Sequence, residues 1–249
     1  MAIPRILVIA GSDSGGGAGI QADLKTIAMM GGHGMTAITA ITAQNTLGVT
    51  VVELVSTAMV LAQIDAVVGD IGVDAVKIGM IGSADTAVAV AERLEAMPGV
   101  PVVFDPVMIA TSGSVLADFA TIAAFGRLIR LATVVTPNLP EMAALGGDPM
   151  ALGTAVLVKG GHGDGDSIVD RLFMPDGSEL RWEGARIETR YNHGTGCTLA
   201  SAIAVGLGSG MTLPDAIGRA RAYVRQALAA APGLGAGHGP MGFLPETGD

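Results

Sequence analysis

Six short, mostly apolar runs limit what this chain can fold into: Arg5–Ala10, Met35–Thr42, Ala75–Ile81, Val100–Phe104, Thr133–Thr136 and Ala155–Val158. A strand with one wet face alternates apolar and polar residues. A run that is apolar at nearly every position is buried on both faces, as in a parallel sheet. Helix-forming stretches separate the runs: Ala18–Met30, Ser56–Ile71, Ser83–Met97 and Val115–Leu131. Ser56 or Thr57, and Ser83, stand where N-caps belong, and Pro140 suits the first turn of a short helix near Glu141. Ser167–Met174 and Glu179–Ile187 flank the turn Pro175–Ser178 and predict a hairpin. Two further helices follow, Thr195–Gly208 and one capped by Thr212 that reaches Ala231; from Pro232 the chain is rich in Gly and Pro and predicts irregular structure. Strands alternating with helices require crossovers and a sheet covered on both faces. No linker or repeat divides residues 1–249, which predicts a single α/β domain.

Ligands of such sheets sit beyond the carboxyl ends of the strands. The strand assignment puts Gly11–Gly19, Gln44, Met80, Asp105, Asn138, Glu141 and Lys159 there, although the sequence scatters them widely. Several partner classes are disfavoured. Net charge is −9 and no basic run occurs, which argues against nucleic acid. No run approaches the ~18 apolar residues that span a membrane, and Met1–Ala10 lacks the longer apolar segment of a signal peptide, so a cytoplasmic protein is expected. One cysteine gives neither a disulfide nor a cysteine metal site.

That cysteine stands in His193-Gly194-Thr195-Gly196-Cys197-Thr198, just ahead of an Ala-rich helix. A helix N-terminus has unpaired N–H groups and a partial positive charge, and glycines let a phosphate approach. The same field favours thiolate. The turn therefore fits a phosphate site with a built-in base; a small buried core cysteine is the plainer alternative. The Gly11–Gly19 turn lacks a following Gly-Lys-Ser/Thr, so it is no Walker loop. Gly17–Ala22 fits a relaxed dinucleotide fingerprint, but Gln44 occupies the second strand end where the ribose-binding acid belongs.

Gln44 donates and accepts at once, matching a heterocycle with an amino group beside a ring nitrogen. Asp105 and Glu141 suit Mg²⁺ held through water, although Glu141 also suits a helix first turn. Lys159 follows a buried strand as a point charge for a phosphate. His33, His162, His193 and His238 show no metal-ligand spacing, and no GxSxG elbow supports acyl hydrolysis.

Together these segments resemble the ribokinase-like superfamily, and within it the hydroxymethylpyrimidine/phosphomethylpyrimidine kinases of thiamine biosynthesis. The resemblance rests on Gly11–Lys25, Thr36–Ala40, Thr42–Thr46, Val76–Met80, Asp105–Met108, Thr136–Glu141, Val158–His162 and His193–Thr198, in the family's order. It implies a three-layer α/β/α sandwich with a mostly parallel central sheet. It implies ATP-dependent phosphorylation of 4-amino-5-hydroxymethyl-2-methylpyrimidine and then of its monophosphate. Carried over by position, Gln44 reads the aminopyrimidine edge. Gly11, Ala18, Met80 and Val107 line the pocket, and Asp23 adds a polar contact. Gly194, Thr195, Gly196 and Cys197 form the anion hole, with Cys197 as the base where sugar kinases of the superfamily have Asp. Lys159 and Asn138 are expected on the nucleotide, and Asp105 and Glu141 beside Mg²⁺. A homodimer is expected on the same ground.

Two stretches depart from the family pattern: Thr189–His193, which contains Tyr191, and the tail Gly237–Phe243. The rival readings are a pyridoxine or pyridoxal kinase, a dinucleotide-dependent oxidoreductase using Gly17–Ala22, and a non-catalytic pyrimidine-binding protein.

Overall fold

In the computed structural model, which describes residues 2–109, 113, 115–162 and 165–246, the first apolar run becomes the middle of the molecule. Strand β1 (Arg5–Asp13) is followed by helix α1 (Gly19–Met29), then by β2 (His33–Asn45), β3 (Gly48–Leu54) and α2 (Thr57–Asp70). Next come β4 (Ala75–Ile78), α3 (Ala84–Glu95), β5 (Val102–Phe104), α4 (Phe119–Leu131), β6 (Val134–Val135) and α5 (Leu139–Ala144). The chain ends with β7 (Ala155–Val158), β8 (Ser167–Phe173), β9 (Glu179–Ala185), α6 (Thr195–Gly208) and α7 (Leu213–Ala229).

The strands form one sheet in the order β3-β2-β1-β4-β5-β6-β7-β8-β9. From β2 to β7 all neighbours are parallel. At the edges β3, β8 and β9 run antiparallel to their neighbours. From β1 the chain steps outward to β2 and later returns to the other side at β4. The crevice at the carboxyl ends of β1 and β4 is a topological switch point, where ligands of open α/β sheets bind.

The two-period of β1 distributes the core between both faces. Ile6, Val8 and Ala10 pack with Ile20, Ile27, Ile203 and Ile217 from α1, α6 and α7. Leu7 and Ile9 pack with Ile64, Val90 and Leu128 from α2, α3 and α4. Phe104 meets Phe125 edge-on with ring centroids 5.1 Å apart, a favoured aromatic geometry. Side chains of Ser56, Ser83, Asp118, Asn138 and Thr212 accept backbone N–H groups at five helix starts.

Several boundaries differ from expectation. Strand β3 was not legible, because its residues are exposed or half-buried at every position and show no alternation. Helix α4 begins at Phe119, not Val115: Asp118 caps it, and Val115 instead forms a bridge with Ile109. Strand β4 stops at Ile78, releasing Gly79–Ile81 from the sheet at the crevice. The tail is irregular but anchored. His238 N–H donates to Thr46 O at 2.9 Å, and His193 N–H donates to Gly239 O at 3.1 Å. A Cβ on Gly237 would meet Thr46 O at 2.1 Å, so only glycine lets the tail lie this close. Among the described residues no helix is long and apolar enough to cross a membrane.

Candidate active site

A cavity of about 1050 Å³ opens at the switch point. From the strand ends it receives Gly11, Gln44, Met80, Asp105 and Val107. Ala18 enters from the turn before α1, Asn138 and Glu141 from the start of α5, and Lys159 from the end of β7. Gly194, Thr195, Gly196 and Cys197 enter from the start of α6. Asp23 does not line it, which corrects the expected pocket contact. Its side chain is fully buried behind the site, with its two oxygens 2.9 and 2.8 Å from Lys77 Nζ and Ser201 Oγ donating to it at 2.8 Å. Lys77 itself lines the cavity and is held charged: burial alone would lower its pKa, but Asp23 and nearby negative groups outweigh that.

Gly194 takes a left-handed conformation, φ +84°, just before α6. A Cβ there would lie 1.9 Å from Gly17 O, so the helix start and the Gly-rich turn interlock only through glycine. A Cβ on Gly196 would lie 3.2 Å from Lys159 Nζ and 3.4 Å from Asp105 Oδ2. The lysine–carboxylate pair therefore presses directly on the first turn of α6. Lys159 Nζ is 2.7 Å from Asp105 Oδ1 and 3.9 Å from Glu141 Oε2, and Thr136 Oγ1 donates to Asp105 at 3.1 Å. Burial would lower the Lys159 pKa, but the two carboxylates together raise it, so it is a fixed ammonium.

The thiolate expected at Cys197 is not the resting form. Burial pushes the thiol up to about 11, against the opposing pull of Lys77. Asp23 and Asp105 push in the same direction as burial. The helix field, worth ~1 kcal/mol in such positions, is too small to reverse desolvation.

Asn138 and Glu141 form a capping box: Asn138 Oδ1 accepts from Glu141 N–H and Glu141 Oε2 from Asn138 N–H, both at 2.8 Å. Their types are thus explained in part by the helix start itself. Burial raises the Glu141 carboxyl pKa, partly countered by Lys159. Among the described residues no cluster of three metal-ligating side chains exists. The two carboxylates fit a hard cation held through water, since Lys159 already occupies them directly.

The Gly-rich turn is occupied from within. Gly15, Gly17 and Ala18 N–H groups donate to the Asp13 carboxylate at 2.8, 3.0 and 2.8 Å. A pyrophosphate would need those same donors, which weakens the dinucleotide reading. Burial works to raise the Asp13 pKa, but His193 and the backbone donors outweigh it and hold it below the usual range. Sequence reasoning missed Asp13 and left His193 as a loop-shaping residue; no spacing signal marks them as partners 180 residues apart. It also missed His238 from the tail, and Ile168, Ile187, Val224 and Leu228, which line the cavity from β8, the segment after β9 and α7.

The phosphomethylpyrimidine kinase family profile matches residues 13–242 of this chain. The chain belongs to that family. It is 50% identical over 254 residues to a hydroxymethylpyrimidine/phosphomethylpyrimidine kinase of Rhizobium meliloti, covering 94% of this chain and 95% of that one. A phosphomethylpyrimidine kinase of Clostridium difficile superposes with a TM-score of 0.77 at 38% identity, covering 91% of this chain and 99% of that one. A Bacillus subtilis pyridoxal kinase in complex with ADP superposes with a TM-score of 0.88 at 33% identity, covering 97% and 98%. Fold alone therefore does not separate pyrimidine from pyridine kinases, and the discrimination has to come from side chains.

Proposed function

We propose that this family member is a cytoplasmic enzyme that phosphorylates 4-amino-5-hydroxymethyl-2-methylpyrimidine with ATP and then phosphorylates the monophosphate again. The observation that supports this reading is a single cavity lined both by Gln44 and by the α6 N-terminus with its two lysines. The first matches the aminopyrimidine edge, and the second suits a transferring phosphoryl group. Incubation with excess ATP and mass analysis of the products tests it. Monophosphate should appear first and diphosphate second; a product that stops at the monophosphate contradicts the two-step reading.

In this reading the phosphates lie on the first turn of α6, where N–H groups point outward and a long helix adds its dipole. Lys77 and Lys159 neutralise charge from fixed positions, so they need no reorganisation as transfer proceeds. The apolar side chains Ile168, Ile187, Val224 and Leu228 offer the adenine a slot. The hydroxymethyl oxygen forms a bond to the γ-phosphorus while the bond from that phosphorus to the bridging oxygen breaks, and ADP leaves. Cys197, in its deprotonated fraction, takes the hydroxyl proton on Sγ and becomes the thiol. Mg²⁺, held through water by Asp105 and Glu141, would neutralise charge on the phosphate oxygens when bound.

A base with a raised pKa has a defined pH signature. The thiolate fraction grows up to tenfold per pH unit below about 11. The rate constant kcat/KM should therefore climb between roughly pH 7 and 9, and Cys197→Ser should flatten the profile. A wild-type profile without that climb excludes the cysteine as base.

The homodimer is read as pairing along β3, an unpaired edge carrying exposed Val51, Val52 and Leu54. Pyridoxal kinase activity is the second reading, favoured by the overall superposition and opposed by the higher identity to the pyrimidine kinases.

A further inference from the structure

The Gln44 amide sits between two partners that give it a direction. As placed, the amide nitrogen lies 3.1 Å from His193 Nε2 and the amide oxygen 3.2 Å from Thr42 Oγ1; the two ends of an amide have the same outline, and the partners decide which end is which. His193 Nε2 also lies 3.1 Å from Asp13 Oδ2. That carboxylate already receives three backbone N–H groups and has only lone pairs to offer. The proton in the Asp13–His193 bond must therefore reside on His193 Nε2. An Nε2–H cannot accept from an amide NH2, so the amide end facing His193 is the carbonyl, which shares the one Nε2 proton with Asp13 in a three-centre bond.

Thr42 favours the same orientation. Its one hydroxyl proton lies within reach of Ser12 O at 2.9 Å and of the Gln44 amide at 3.2 Å; given to Ser12, it leaves Oγ1 as an acceptor for the amide NH2, and both bonds are made. One end of the amide is thus set by a histidine donor and the other by a threonine acceptor. The reversed amide has the same outline but puts donor against donor at His193 and leaves Thr42 Oγ1 without the amide N–H.

The histidine ring is itself clamped. A Cβ on Gly17 would lie 2.5 Å from His193 Cδ2, so the ring rests on bare backbone there. His193 also pairs with Pro240 of the tail.

We infer that Asp13, His193 and Thr42 are positioning residues that lock the Gln44 amide in one orientation, and that this lock makes the site select one order of donor and acceptor on the substrate ring. A 4-aminopyrimidine presents a donor at position 4 and an acceptor at N3. The corresponding 4(3H)-pyrimidinone presents the reverse order in nearly the same shape. A freely turning glutamine accommodates either ring; a locked one leaves the pyrimidinone with opposed donors and opposed acceptors. The inference rests on the reading of Gln44 as the contact to the pyrimidine.

Isothermal titration calorimetry with the 5-hydroxymethyl-2-methyl compounds in their 4-amino and 4-oxo forms tests this. Wild type should prefer the amino form by about tenfold or more, the effect of mispaired buried polar groups. His193→Phe keeps a ring over Gly17 without a donor, and Thr42→Val keeps the shape without the acceptor. Each should bring the two affinities to within about threefold, with the oxo form gaining. A wild type without the preference overturns the inference, as does a preference that survives in both variants. Gln44→Ala separates the levels. If it abolishes the preference while His193→Phe and Thr42→Val do not, the contact stands and the lock fails. If it leaves the preference intact, Gln44 does not read the ring, and both fall.

Discussion

Cys197→Ala should lower kcat for the pyrimidine about 100-fold or more while leaving its KM within a few-fold of wild type. The methyl group of alanine fits where the thiol was, so neither the first turn of α6 nor the pocket walls move. What is lost is the only group at that turn able to take the hydroxymethyl proton. Binding determinants are elsewhere: Gln44 at the ring, and backbone N–H groups with Lys77 and Lys159 at the phosphates. Stopped-flow or steady-state assays on the variant separate the two constants. A fully active variant would mean the proton leaves by another route and that the cysteine only fills the first turn of α6.

Asp23→Ala should cost about 3–5 kcal/mol, lowering Tm by roughly 10 °C or more for a domain of this size. The substitution strands the Lys77 ammonium in the interior, where Asp23 supplies both of its short contacts, at 2.9 and 2.8 Å. It also leaves Ser201 Oγ without its acceptor. Replacing the whole pair, as in Asp23→Leu with Lys77→Met, should recover most of the stability, since an apolar pair of similar volume avoids desolvating two charges. Activity should not recover with it, because the cavity loses a fixed positive charge beside the anion hole. Thermal melts and turnover on the same two variants distinguish these effects. If the double variant regains activity as well as stability, Lys77 has no electrostatic part in phosphoryl transfer.

The central strands were legible because burial on both faces leaves β1, β4, β5, β6 and β7 mostly apolar, Lys77 with its buried partner being the exception. β3 was not, since an exposed edge leaves no periodic trace. Strand-end positions can be read off in the same way, which is why Gln44, Asp105 and Lys159 stand out in the sequence as lining the cavity. Asp23 was carried into the pocket by the family resemblance, and nothing in the sequence shows that its side chain turns instead to Lys77 and Ser201. The Cys197 ionisation was misjudged for a related reason. A helix start is visible in the sequence, but the desolvation of the thiol and its nearness to Asp23 and Asp105 are not. Asp13, His193 and Thr42 belong to three distant segments, and their meeting depends on a tail that composition marks only as irregular.

The most direct measurement is ADP release from Mg-ATP with hydroxymethylpyrimidine and pyridoxine offered in parallel to the same preparation. The structure and the family relationship predict turnover of the pyrimidine by a wide margin in kcat/KM. Preference for pyridoxine would keep the fold and the chemistry at Cys197 but contradict the assignment of the ring that Gln44 reads. Release of ADP with neither compound would contradict the assignment as a kinase of this substrate class.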